Sequence, residues 1–141
     1  MKRILSALLT LAAAAALVPA VHAHDHDRGC TAATLKGNYG FTFSGFQLQN
    51  DISLPFYGAG SGTFDGEGNL SAAFTFSVNG QIGTSPYTAT YTVNPDCTGS
   101  VTATSGSGGD NFALFIVGTG DEIFATDTTA GETVTADFKR Q

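Results

Sequence analysis

The chain has 141 residues, 42% of them hydrophobic and 13% charged, which is enough for one domain around one core. Twelve acidic residues against six basic ones give a net charge of −6 without any basic stripe. That balance excludes nucleic acid and anionic membrane surfaces as partners.

In chain order, Lys2 and Arg3 followed by the apolar run from Ile4 to Val18 read as a secretory signal peptide. The run is too short to span a bilayer and ends in polar sequence. Cleavage is expected after Ala20 or after Ala23. The reading divides the chain into a signal peptide (1–23), a flexible segment containing Cys30 (24–34) and a β-barrel domain (35–141). The mature protein is expected to be secreted or periplasmic, with no membrane contact after cleavage. Asp27-Arg28-Gly29 before Cys30 lacks the small apolar context of a lipid-attachment site. In an oxidising compartment Cys30 and Cys97 read as one disulfide; a metal or redox pair lacks both a CxxC spacing and a neighbouring histidine.

Thr31 to Leu35 is a connector with room for one helical turn. From Tyr39 the pattern has period two: Tyr39, Phe41 and Phe43 alternate with Gly40, Thr42 and Ser44, as in a strand with one buried face. Asn50-Asp51 and Pro55 mark a loop, and Phe56 to Phe64 form the next strand. Its Gly58, Gly60 and Gly62 share a face, where a barrel strand coils and aromatics from across the interior fit. A phosphate-cradling loop is excluded, since no helix follows and no lysine is placed to help.

The turn Asp65-Gly66-Glu67-Gly68-Asn69 leads into Leu70, Ala72, Phe74, Phe76 and Val78, and Asn79-Gly80 is a strong hairpin signal. Tyr87, Ala89, Tyr91 and Val93 alternate with threonines up to the turn Asn94-Pro95-Asp96. Val101 and Ala103 give a short strand, followed by a Gly/Ser loop from Ser105 to Asp110. Phe112 to Val117 is apolar on both faces and is expected to be covered on both. Ile123 to Ala125 and Val134 to Phe138 complete the set. About eight strands joined by short turns predict an all-β, antiparallel up-and-down barrel. A two-sheet β-sandwich is the alternative, but it needs a long crossover.

Three blocks carry a resemblance: Leu35-Lys36-Gly37-Asn38-Tyr39-Gly40-Phe41, Phe64-Asp65-Gly66-Glu67-Gly68-Asn69 and Tyr91-Thr92-Val93-Asn94-Pro95-Asp96-Cys97-Thr98-Gly99. Together they resemble an uncharacterised family of small secreted bacterial proteins with a signal peptide and a cysteine near the mature start. The resemblance implies secretion and a shared fold, not a reaction. At fold level it is similar to calycin-like barrels and to the barrels of allene oxide cyclases and dirigent proteins, by analogy alone.

Residues with chemistry are few. His22, His24 and His26 all lie around the cleavage site, so a histidine triad or zinc hydrolase centre is excluded from the domain. After cleavage at Ala23, His24 and His26 would be residues one and three of a free amino terminus, a set able to wrap Cu(II) or Ni(II); a solvated tail is the plain alternative. Asp65, Glu67 and Asn69 offer oxygens at alternate positions, but the loop is shorter than the calcium loop of about twelve residues. Their role is turn formation. No cofactor pattern and no catalytic residue emerge, and no two carboxylates can be placed face to face.

Eleven Phe and four Tyr without Trp form a core-building set. Tyr39, Phe41, Phe43, Phe74, Phe76, Tyr87 and Tyr91 are expected to project inward, where they fill the barrel or line a pocket for a small hydrophobic molecule. The reading is of a non-enzymatic binding or structural module. The alternatives are a cyclase- or isomerase-like barrel enzyme and a surface or matrix adhesion component assembling through strand edges. The oligomeric state is left open.

Overall fold

Every alternating run becomes a strand in the computed structural model, which describes residues 29–105 and 110–141. The proposed signal peptide, His22, His24 and His26 lie outside the described residues. A 3-10 turn over Ala32–Leu35 fills the connector. The strands are β1 Gly37–Gln49, β2 Ile52–Phe64, β3 Asn69–Val78, β4 Gln81–Val93, β5 Thr98–Ser105, β6 Asn111–Val117, β7 Glu122–Asp127 and β8 Thr133–Arg140. Each pairs antiparallel with the next, and β8 returns to β1 in the register Phe41↔Phe138, closing the barrel. The β-sandwich alternative is thereby set aside.

Closure rests on the glycines of β2. Gly58 and Gly60 are register partners of Phe43 and Phe41 on β1, and of Phe76 and Phe74 on β3. A Cβ on Gly58 would stand 2.2 Å from Phe43 Cζ and 2.5 Å from the Thr75 carbonyl oxygen. The rings that need this space come from the adjacent strands, not from across the interior as the alternation implied. Lying over the bare backbone, they let the sheet coil tightly.

Two further expectations are corrected. Pro55 is not in a loop: it sits within β2 opposite Phe46, because the β1–β2 ladder extends to Gln49↔Ile52. The Phe112–Val117 strand is not covered on both faces. It forms part of a single barrel wall, so Leu114 and Ile116 are buried while Phe115 and Val117 are exposed to solvent.

The two ends differ. At the floor, Leu35, Tyr39 and Phe64 are fully enclosed. The Tyr91 hydroxyl donates to Ala32 O at 3.0 Å and accepts from Gly66 N at 3.0 Å. The Tyr39 hydroxyl donates to the Gly120 carbonyl. Cys30 and Cys97 are joined by a disulfide, and Cys30 N donates to Pro95 O at 3.1 Å. At the opposite end, β4 meets β5 only from Thr88 onward and β1 meets β8 only up to Phe46. The β1–β2 and β3–β4 hairpins therefore stand taller than the strands facing them.

Candidate functional site: the barrel mouth

The uneven rim makes an open end with two unlike sides. The tall wall supplies Phe41, Phe43, Phe56 and Phe74. Phe43 packs tilted against Phe56 with centroids 4.8 Å apart and edge to face with Phe74 at 5.4 Å, and Phe41 lies nearly parallel to Phe43 at 6.4 Å. The low side supplies Leu114, Ala125 and Val134 from below, and Asp110, Asp127 and Glu132 at the rim. Between the two sides lies a cavity of about 70 Å³. A water needs only about 10–15 Å³ on the same measure. The interior is thus mostly filled by side chains but not sealed.

Of the seven aromatics singled out, Phe41, Phe43, Phe74 and Tyr87 line this cavity. Tyr39 and Tyr91 lie in the packed floor, with their hydroxyls committed to backbone groups. Phe76 packs edge to face with Phe56, centroids 5.9 Å apart, and lies over Gly83, outside the lining. Asp65 is turned into its own loop: its Oδ1 accepts from Glu67 N at 2.7 Å and Asn69 N at 2.9 Å. These bonds, with the Asn69 side chain foremost, hold its pKa down at about 2.

The carboxylates at the rim are a group that strand alternation could not reveal. Asp110 precedes β6, Asp127 ends β7 and Glu132 precedes β8, so all three sit at strand junctions on the same end. One oxygen from each lies within 4.8 Å of the others. Asp127 Oδ1 accepts from Thr129 N at 2.6 Å, whereas its Oδ2 has no partner among the described residues. Burial, with the Asp127 charge adding to it, raises Asp110 to about 6. Burial, then the Asp110 and Asp127 charges and a side-chain hydrogen bond from the protonated Glu132 carboxyl to Asp127, raises Glu132 to about 7.

Tyr87, on β4, borders the same space. It is 9% exposed and its hydroxyl has no partner among the described residues. Burial, followed by the Asp110 and Asp127 charges, pushes its ionisation well above the usual range. Among the described residues the cations are Lys36, Lys139 and Arg140, and all three belong to the floor end. The mouth carries negative charge with no basic counterpart among those residues.

The fold and this rim define a closed, eight-stranded up-and-down barrel with an apolar interior and an acidic opening. No family model and no curated protein matches the chain, so the three sequence blocks remain a resemblance. Among solved structures it is similar to a de novo designed fluorescence-activating β-barrel, with a TM-score of 0.52 and 13% identity. The match covers 78% of this chain and 96% of that one. At this identity the likeness establishes the barrel architecture alone.

Proposed function

We propose that the protein is a secreted β-barrel binding module that takes a small, largely apolar molecule through its open end. One observation carries this reading: the apolar cavity reaches the rim where the Tyr87 hydroxyl and Asp127 Oδ2 stand buried and unpartnered among the described residues. Buried polar groups are ordinarily satisfied, and those that are not mark places where something else completes them. The site has the general make-up of a ligand pocket, apolar walls with a few convergent polar groups, at a size below that of drug-sized sites. The apolar run after Lys2 and Arg3 and the Cys30–Cys97 disulfide support an extracytoplasmic location.

Native mass spectrometry of the protein purified from its host tests this, together with titration by a neutral aromatic probe such as benzyl alcohol. A bound small molecule, and probe binding abolished by filling the cavity with Ala72→Leu, is the expected result. Probe binding unaffected by that substitution would place the site elsewhere.

A second reading is favoured by the company Tyr87 keeps. Carboxyls that titrate at about 6 and 7 are suited to proton transfer near neutral pH, and the neutral Tyr87 hydroxyl beside them can hold a substrate oxygen by hydrogen bonding, as a cyclase- or isomerase-like barrel would require. Turnover of a bound ligand, detected as solvent deuterium incorporated into it, separates that reading from simple binding. The adhesion reading draws little support from the sheet, because β1–β8 pairing closes the barrel and, among the described residues, confines strand edges to the upper ends of the tall hairpins.

A further inference from the structure

We infer that the ligand of the barrel mouth is a small organic ammonium ion, its nitrogen among Asp110, Asp127 and Glu132 and its apolar body against the phenylalanines of the tall wall. This rests on the binding-module reading and specifies its ligand.

Three carboxylates within 4.8 Å of one another repel unless a cation or protons lie between them. No described lysine or arginine is at this end of the barrel to serve. The Tyr87 hydroxyl is a separate observation pointing the same way. It belongs to another strand and lines the same cavity, and its oxygen can accept an N–H without competition from any described residue.

The surroundings discriminate between kinds of cation. A calcium ion takes about six to eight oxygen ligands and a magnesium ion keeps a tight octahedron of them. Here the cavity side adds one ligand oxygen, the Tyr87 hydroxyl, to those of the three carboxylates, and the rest of its lining is phenylalanine rings and aliphatic side chains. An ammonium group on a hydrocarbon body matches both halves: charge-assisted hydrogen bonds to the acids, and ring faces for its methylene and aromatic portion. A carboxylate or phosphate ligand would meet like charge. A neutral ligand would leave the acids uncompensated.

The experiment is a calorimetric titration at pH 8 with three probes of nearly one shape: benzylamine, benzyl alcohol and benzoate. Benzylamine should bind about tenfold or more tighter than benzyl alcohol, the size of effect a charge-assisted hydrogen bond supplies, and benzoate should bind weakest. Glu132→Gln and Asp110→Asn should each reduce the preference for the amine over the alcohol, with an unchanged far-ultraviolet circular dichroism spectrum reporting an intact fold. Equal affinities for amine and alcohol would overturn the ammonium inference and leave the apolar pocket standing. Failure of all three probes would overturn the pocket along with it. Thermal stabilisation by calcium chloride, with none by benzylamine, would overturn it in favour of a metal site.

Discussion

Tyr87 on β4 and Asp127 at the end of β7 line one cavity from different strands, each 9% exposed and each with an oxygen that meets no hydrogen-bond partner among the described residues. An unpaired buried hydroxyl costs its desolvation, so removing it costs nothing in return. Tyr87→Phe should therefore leave thermal stability unchanged or raise it slightly, while weakening any ligand that hydrogen-bonds there. A loss of more than about 1 kcal/mol in urea denaturation would mean the hydroxyl already has a partner in the free protein.

The rim acids set a pH dependence of definite sign. Glu132 moves from 4.5 to about 7 on folding and Asp110 from 3.8 to about 6, so between those limits the folded protein holds more protons than the unfolded one. Their favourable contribution is complete below the unfolded values and is lost as the pH rises through the folded ones. Melting temperature at fixed ionic strength should fall from pH 5 to pH 8, and Glu132→Gln should flatten the upper part of that fall. Asp65 has the opposite sign, its contribution disappearing only as the pH drops from 3.8 toward 2. An acid-side loss without any decline toward pH 8 would contradict the burial of Glu132 and Asp110.

Gly58 is the position where one methyl group tests how the barrel coils. Gly58→Ala would set its Cβ against both the Phe43 ring and the Thr75 carbonyl, and a carbonyl within a ladder cannot rotate away. The cost should be about 1–3 kcal/mol, in the range of overpacked cores. Phe43→Leu in the same chain should recover only part of it. Chemical denaturation of the single and double variants measures this, and full recovery would mean that the ring alone needed the glycine.

The barrel was legible because period-two alternation needs only local sequence. Tyr39-Gly-Phe41-Thr-Phe43 announces its buried face without reference to any partner. Strand length was less legible: Pro55 and the stretch from Gln81 to Pro86 are extended because a neighbouring strand pairs with them. The exposure of Phe115 was hidden for a related reason. A barrel wall has one interior, whatever the apolarity of its outer residues. Half of the site, Phe41, Phe43, Phe74 and Tyr87, follows from the same alternation. The other half does not, since Asp110, Asp127 and Glu132 lie at three strand junctions that meet only across the mouth. The available signal was topological: in an up-and-down barrel the turns after β5 and β7 open at one end, and both carry acids.

The Cys30–Cys97 bond closes a separation of 67 residues and ties the entry of the chain to the β4–β5 turn. The chain-entropy model assigns such a loop about 4 kcal/mol. Reduction should lower the melting temperature markedly while leaving strand content intact at about 20 °C, the range in which domains are near their most stable. Unchanged melting under reductant, with free thiols verified, would mean that the floor holds without the bond.

Arg140 gives the floor its second attachment. Its Nη1 donates to Lys36 O at 2.5 Å, and its Nη2 donates to Thr34 O at 2.8 Å and Gly120 O at 2.9 Å. Its guanidinium carbon stands 5.1 Å from the Tyr39 ring centroid, and Asp121 lies 3.5 Å from Nε. One planar fork thus joins the last strand to the 3-10 turn and to the β6–β7 turn, and a lysine ammonium cannot reproduce that geometry. Arg140→Met should cost about 2–3 kcal/mol, since three carbonyls lose a charged donor, and Arg140→Lys should recover less than half. Because the mouth is at the other end, benzyl alcohol affinity should be the same in both variants wherever they remain folded. Loss of probe binding in a folded Arg140→Lys protein would show the two ends to be coupled, and the separation of a rigid floor from a receptive mouth would be wrong.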